Sequence, residues 1–127
     1  VEAFAWRRLA DRVDRVLSTH RKGLDVTVDV VGDRPAGVVP PDCRLVRLAV
    51  EVLEELGIQP AGDASSTDAN IPISRGVPAV CIGLTSGGNV HREDEFIDLA
   101  PIERGIAQLM MLVLCAADEL HRGSIRL

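Results

Sequence analysis

The residues best suited to chemistry lie in the segment TSGGNVHREDEF, residues 85–96, where one histidine is followed by a run of acidic side chains. The glycines before His91 allow a backbone to approach a ligand closely. A neutral imidazole is a good zinc donor when its second nitrogen has an acceptor, which Glu93, Asp94 or Glu95 could supply. Two interpretations stay open, a metal ligand or a polar residue in a surface turn, because a zinc site needs about three or four ligands.

The other reactive residue types favour structural roles. The three cysteines, Cys43, Cys81 and Cys115, lie far apart in apolar patterns, so we expect reduced packing residues. A nucleophilic cysteine would need a histidine and an electropositive pocket. His20 and His121 each stand beside a basic residue close to a glycine, a pattern typical of a helix C-terminus.

The first half of the chain predicts two helices with a strand between them. Residues 1–20 have the three-to-four residue apolar spacing of an amphipathic helix, and no capping residue or initiator Met precedes them, which indicates that the chain begins inside a helix. Residues 24–31, LDVTVDVV, alternate like a half-exposed strand. Asp42 is predicted to cap a helix from Cys43 to Leu56 that Gly57 closes. Its predicted inner face comprises Leu45, Ala49, Val52, Leu53 and Leu56, and its solvated face Glu51, Glu54 and Glu55.

The second half predicts an α/β arrangement around the histidine loop. Pro72 is tolerable in the first turn of a short helix with a cap near Thr67 or Asp68. The apolar run Val77–Leu84 predicts a central parallel strand covered on both faces. Pro101 is predicted to open a last helix, through about His121, that is apolar nearly all round and therefore buried. Because sites in such sheets form beyond the carboxyl ends of strands, the loop at His91 is where chemistry is expected.

Composition excludes several classes of protein. The formal net charge is -5 and no basic stretch contains interleaved aromatic residues, which argues against a nucleic-acid partner. No apolar run approaches the roughly 20 residues that span a bilayer, and the N-terminus carries no signal pattern. We therefore expect a soluble, cytoplasmic protein without a membrane partner.

Three stretches together resemble a known family: GDRPAG at residues 32–37, SSTDANIPISRGVPAVCIGL at 65–84 and GGNVHREDEFID at 87–98. Their order and spacing are similar to the C-terminal half of the dinuclear zinc metallopeptidases that include peptidase T, carboxypeptidase G, aminoacylase and acetylornithine deacetylase, especially the tripeptidase-like branch. The resemblance implies that residues 33–127 are the C-terminal part of an α/β catalytic domain, whose mixed, largely parallel sheet has helices on both faces. It also implies that residues 1–32 are the last helix and strand of an α+β lid or dimerisation domain.

The resemblance also assigns roles within the histidine loop. It implies that His91 is the last metal ligand and that Glu95 is the acid supporting the loop. Asn89, Gly87 and Gly88 match the wall that faces the substrate. Residues 66–70 match a segment at the rim of the catalytic core, in which we expect Asp68 to be a cap or turn former in preference to a ligand.

Much of the family's catalytic apparatus has no counterpart in this sequence. A complete site holds two zinc ions, which cobalt or manganese could replace in vitro, and uses a His-x-Asp motif, a Glu-Glu pair and a further Asp or His. The only Glu-Glu pair here, Glu54-Glu55, is predicted on the exposed face of a helix. The resemblance therefore implies no catalytic residue in this chain, which should need a missing N-terminal half before it hydrolyses a terminal amide bond of small peptides or N-acyl amino acids. We also expect a homo-oligomer, and the alternative function is a non-catalytic association module.

Overall fold

The computed structural model describes residues 2–19, 23, 27–32 and 34–125. The chain divides into two compact units, Val1–Asp33 and Arg34–Leu127. Which domain of the metallopeptidases that the sequence resembles each unit corresponds to stays a prediction.

The first unit contains one helix, α1, at Glu2–Thr19, in agreement with the predicted amphipathic helix. Its apolar side chains at Leu9, Val13 and Val16 are about half exposed. The strand predicted at residues 24–31 is wrong where it can be checked: residues 24–26 lie outside the described residues, and 27–31 belong to no strand and are exposed. A strand requires hydrogen bonds to a neighbouring strand, and the described residues of this unit provide none. His20 also lies outside the described residues.

The second unit is built on two helices, α2 at Arg44–Glu55 and α4 at Ile102–His121, which pack against each other. Leu48 of α2, Leu112 of α4 and Ile125, which follows α4, form the buried cluster of this unit. Five partly buried residues surround this cluster: Leu45, Ala49, Val80, Ile82 and Ala116. Because burial of apolar area drives folding, this helix pair is the core that supports the rest of the unit.

The ends of α2 show one prediction wrong and one confirmed. Asp42 is exposed and does not cap the helix; the N-cap position is Cys43, whose side chain makes no capping hydrogen bond. At the other end Gly57 has a φ of 67°, a left-handed conformation that glycine adopts without steric cost. Its N–H and that of Ile58 donate to the carbonyls of Glu54 and Leu53, each at 2.9 Å, which satisfies the last turn as a Schellman motif does.

The short helix α3, Asn70–Ser74, has Pro72 in its first turn as predicted. Its start is organised by Thr67, whose hydroxyl accepts from the Ala69 N–H at 3.3 Å, while the Asn70 side-chain oxygen accepts from the Thr67 N–H at 2.8 Å. The Asn70 amide nitrogen also donates to the Pro35 carbonyl at 3.1 Å. These bonds join the GDRPAG and SSTDAN segments into one structural element.

The predicted parallel strand at residues 77–84 is wrong. That segment is not assigned to a strand, although Val80 and Ile82 pack on the core while Cys81 and Gly83 are exposed. The two strands found among the described residues are β1 at Gly87–Gly88 and β2 at Phe96–Ile97, paired antiparallel. Helices with a small sheet fit the α/β class, whereas the predicted layered sheet is not formed, because residues 77–84 have no described strand beside them.

The last helix, α4, has the predicted start and end but not the predicted burial. Among its residues, Gly105, Gln108 and Leu112 are buried, whereas its opposite face is exposed. We call this surface the open face of α4; it consists of Ile106, Leu109, Met110, Val113, Leu114 and Leu120. No described helix is long and apolar enough to cross a lipid bilayer.

The cysteines are free thiols, as expected, but only one of them is sheltered. Cys43 is partly buried, whereas Cys81 and Cys115 are exposed. The prediction that all three are packing residues is therefore wrong for Cys81 and Cys115. The apolar sequence around each of these two positions does not lead to burial, because residue 81 faces away from the core and residue 115 lies on a side of α4 that α2 does not cover.

A cluster of three charged residues, Arg44, Glu51 and Glu119, connects the start of α2 with the end of α4. Arg44 Nε donates to both carboxylate oxygens of Glu119, at 2.9 and 2.7 Å, and Arg44 Nη1 donates to Glu51 at 2.8 Å. Such two-pronged bonds between guanidinium and carboxylate are among the stronger polar contacts in proteins. The hydrogen bonds from Arg44 hold the pKa of Glu119 below its ordinary value of 4.5.

This lowered pKa predicts a pH-dependent stability. A carboxyl group with a lower pKa in the folded than in the unfolded state stabilises the fold above the unfolded value, and this contribution is lost as the pH falls through the folded value. Glu119→Gln should therefore destabilise the chain at pH 7 and lose less further stability below pH 4.5 than the original chain does. Urea midpoints at pH 7 and pH 3 measure both effects. Glu54→Gln, an exposed change on the same helix pair, is the control, and equal pH dependence in all three proteins would contradict the prediction.

Candidate functional site

The predicted metal-ligand residue lies in a tight hairpin that β1 and β2 close at its base. Gly87 pairs with Ile97 and Gly88 with Phe96. Below this pair, the Ser86 hydroxyl donates to the Asp98 carboxylate at 2.6 Å, and the Asp98 N–H returns to the Ser86 carbonyl at 2.8 Å. The strand pairing and the hydrogen bonds between Ser86 and Asp98 thus hold together the two ends of the loop at residues 89–95.

The two glycines of β1 are required by the packing of this hairpin. A Cβ on Gly87 would come within 2.4 Å of the Phe96 carbonyl oxygen, and one on Gly88 within 2.8 Å of the Phe96 ring. Any larger residue would push the strands apart. The structure thus gives Gly87 and Gly88 a local reason to be glycine, and their predicted place in a substrate-facing wall stays a prediction.

His91 is exposed at the tip of the hairpin with an unusual backbone conformation. Its φ is 66°, and that of Asn89 is 57°. Asparagine and histidine both enter this left-handed region more often than most residues, but it carries an energetic cost for any residue with a side chain. The His91 N–H donates to the Glu95 carboxylate at 3.2 Å. No described residue forms a hydrogen bond with the imidazole, and His91 as a whole is exposed.

The acids after His91 bind the loop itself. One expectation was that Glu93, Asp94 or Glu95 would accept a hydrogen bond from the imidazole; instead Glu95 accepts from the backbone of His91. Asp94 accepts from the Asn89 side chain at 2.9 Å and pairs with Arg92 at 3.0 Å. Sequence reasoning missed these contacts of Asn89 and Arg92, for which the only signal was the density of polar residues in a glycine-rich turn.

Asp68 lies in a different segment from the hairpin. It occupies the turn before α3, where its carbonyl accepts from the Ile71 N–H at 3.4 Å. Its carboxylate is fully exposed and lies 3.6 Å from Arg34 at the edge of a shallow groove of about 600 Å³. No described hydrogen bond or ion pair connects Asp68 with the residues around His91, although its turn position is the one expected.

The described residues do not complete a metal site. Within ranges 2–19, 27–32 and 34–125, no group of three or more His, Cys, Asp and Glu side chains is placed to hold a metal ion. His91 offers an exposed imidazole, and the carboxylates of Asp94 and Glu95 are engaged by backbone and side-chain groups of their own loop. Protein zinc sites use three or four donors.

Comparison with known proteins identifies the family. Searches of curated proteins and of solved structures give no significant match. The family model described as peptidase family M20/M25/M40 matches residues 6–114, well over half of the chain and inclusive of the hairpin with His91. The chain therefore belongs to peptidase family M20/M25/M40.

Proposed function

We propose that this chain is part of a zinc-dependent exopeptidase or amidohydrolase, to which it contributes His91 as one metal ligand. Family membership supports hydrolysis of peptide-type bonds and a metallopeptidase-type fold. The observation that carries the assignment of His91 is its accessible imidazole at the tip of a hairpin whose backbone is braced from both sides. The substrate would be a small peptide or an N-acyl amino acid, cleaved at a terminal amide bond.

The remaining ligands and the proton acceptor come, in this proposal, from an N-terminal half of the same protein. Support comes from the hairpin, where the carboxylates of Asp94 and Glu95 are occupied in holding the loop. A carboxylate that braces His91 would have to leave its partner before it could bind a metal. The chain's own contribution is then to present one donor in a fixed orientation.

This proposal predicts weak zinc binding by the chain alone and tight binding only with the N-terminal half. A single imidazole provides one of the about four donors of a closed site, so no stoichiometric site is expected in calorimetric titrations of the isolated chain. When the two halves are combined, His91→Ala should lower the bound metal measured by elemental analysis. His121→Ala, which removes an exposed histidine at the end of α4, is the matched control. Undiminished metal content in the combined His91→Ala protein would disprove the ligand role.

A second candidate function, association with another chain or with a second copy, is favoured by the open face of α4. Met110, Val113 and Leu114 on this face are 56%, 56% and 63% exposed. Contiguous exposed apolar side chains of this kind mark interaction surfaces. In this candidate the unit serves assembly, either instead of catalysis or together with it.

The association candidate predicts a sedimentation coefficient that rises with protein concentration. Leu114→Gln should weaken that rise by removing apolar area from the open face of α4, whereas Glu103→Gln, an exposed change on the same helix, should not. Analytical ultracentrifugation over a wide concentration range measures both variants. A concentration-independent monomer would contradict this candidate.

A further inference from the structure

We propose that Asn89 and Asp94 are positioning residues for His91, and that their contact fixes the turn that presents the imidazole. The inference rests on the proposed ligand role of His91 and adds two residues to it. It also changes the expected role of Asn89 from a part of the substrate wall to a brace of the loop.

The first step is the conformation of the loop. Asn89 and His91, separated by one residue, both have a positive φ. Such dihedral angles persist in residues other than glycine only where neighbouring groups hold them. Asparagine and histidine are found in the left-handed region more often than most residues, yet the region carries an energetic cost for any residue other than glycine. The conformation of His91 must therefore be maintained by contacts outside its own residue.

The second step identifies these contacts. The Asn89 side-chain nitrogen donates to the carboxylate of Asp94 at 2.9 Å and to its carbonyl at 3.3 Å, which closes the loop across His91. Arg92 then holds the same carboxylate, through Nε at 3.0 Å and Nη2 at 3.2 Å. The Arg92 N–H returns to the Asn89 carbonyl at 3.0 Å. These bonds connect Asn89, Arg92 and Asp94 in one network, and His91 lies between Asn89 and Arg92 in the chain.

The third step is that the network leaves the imidazole ring of His91 free of hydrogen bonds within the loop. Glu95 accepts a hydrogen bond from the backbone N–H of His91, and the Asn89–Asp94 hydrogen bond connects the residues on either side of it. None of these groups forms a hydrogen bond with the imidazole ring. A ligand-bearing loop needs this combination, because the ring must be oriented while a nitrogen stays available to the metal. The Asn89 side-chain nitrogen is already engaged, which leaves it unable to serve a substrate without breaking the brace.

Nuclear magnetic resonance of the 127-residue chain tests the proposal without metal or substrate. A residue with positive φ has a short distance between its amide and α hydrogens and gives a strong intraresidue Overhauser signal. His91 should show this strong signal in the original chain and lose it in Asn89→Ala and Asp94→Ala. Glu93→Gln, an exposed neighbouring acid without a described bond, is the control and should preserve the signal.

Two further variants separate the hydrogen bond from other effects. Asp94→Asn keeps a side-chain oxygen acceptor and should restore most of the His91 signal that Asp94→Ala loses. Asn89→Gly permits the left-handed conformation but removes the donor, so the signal should again be lost. Methyl signals of Leu48 and Leu112 report whether the core of each variant is folded. In folded variants, an unchanged His91 signal in both Asn89→Gly and Asp94→Ala would overturn the proposal.

The outcome is independent of the metal experiment. If His91 is no ligand, the metal content of the combined halves is insensitive to His91→Ala while the brace still governs the conformation of the loop. If the brace is wrong, His91→Ala still lowers the metal content, whereas the Asn89 and Asp94 variants leave the His91 signal as it was. Each failure therefore has its own signature.

Discussion

The isolated 127-residue chain is expected to release no product from di- and tripeptides or N-acyl amino acids, whether zinc, cobalt or manganese is supplied. The reason is the composition of its hairpin: one accessible nitrogen donor, His91, next to carboxylates that brace the loop. A two-metal hydrolytic site needs several donors and a proton acceptor held near the attacking water. General acid–base assistance alone is worth about 10²–10⁴-fold in rate, and its loss adds to the loss caused by an incomplete metal site.

Addition of the N-terminal half, in one chain or as a complementing fragment, should restore hydrolysis. In that combined protein His91→Ala is expected to reduce kcat/KM by at least about 10²-fold, since even residues that only orient a ligand are worth about 10–100-fold. His121→Ala should leave the rate unchanged. Product release by the isolated chain that disappears in His91→Ala would show that the catalytic residues have been misplaced.

Gly105→Ala is expected to cause the largest loss of stability of any single methyl addition in α4. A Cβ at this position would lie 1.8 Å from the Leu84 carbonyl oxygen. Neither partner is a side chain that could rotate away, so α4 and the segment that leads into the hairpin must separate. Alanine gains about 1 kcal/mol in helix propensity over glycine, but overpacking costs typically about 1–3 kcal/mol and occasionally more. Because this contact is so short, we expect a cost at the upper end of that range and thus a net loss of about 2 kcal/mol in the free energy of unfolding.

Urea denaturation provides the measurement, since a loss of about 2 kcal/mol lowers the midpoint by roughly 1 M for a small domain. Gly62→Ala is the matched control: a Cβ there meets no atom within 4 Å and the backbone needs no glycine conformation. This control should change stability by less than about 0.5 kcal/mol. Equal midpoints for Gly105→Ala and Gly62→Ala would mean that α4 does not approach Leu84 as closely as the structure indicates.

The sequence predicted well those features that depend on neighbouring residues, such as the extents of helices and the positions of glycine and proline at their ends. Apolar periodicity gave the extent of α1 and α4 to within one or two residues, and Gly57 marked the end of α2 because a left-handed residue terminates a helix. The prediction that Asp42 caps α2 was wrong. The N-cap position is Cys43, one residue later, so Asp42 lies outside the position from which a side chain can cap the helix. Pro72 was placed correctly, since its missing N–H restricts it to a first turn.

Burial and strand pairing were predicted poorly, because both depend on residues far away in sequence. The apolar run at 77–84 has strand composition, yet a strand forms only beside another strand, and only Val80 and Ile82 reach the core. Leu48 is buried but was not among the predicted inner residues of α2, although it lies three residues after Leu45 and four before Val52 on the same helix face. The Arg44–Glu119 contact joins residues 75 positions apart, for which neither sequence neighbourhood gives a signal.

The candidate site was partly predictable for a related reason. The sequence places His91 in a glycine-rich turn, and the resemblance singles it out, but the direction in which each acid side chain points depends on the turn conformation. Two left-handed residues, Asn89 and His91, bring Asp94 and Glu95 against the backbone of the loop and not against the ring. Residue types alone do not distinguish these arrangements.

The three cysteines can serve as native sites for chemical footprinting of the surfaces on which they lie. Cys81 lies on the groove beside Arg34, Cys115 lies on α4, and Cys43 is partly sheltered at the start of α2. Alkylation requires the thiolate to meet the reagent, so a lower rate at one cysteine after association shows that its surface has become covered or that its thiolate fraction has fallen. Mass spectrometry of the alkylated peptides would show, one surface at a time, which thiol becomes protected when an N-terminal half or a second copy docks, with Cys43 as an internal reference for the integrity of the core.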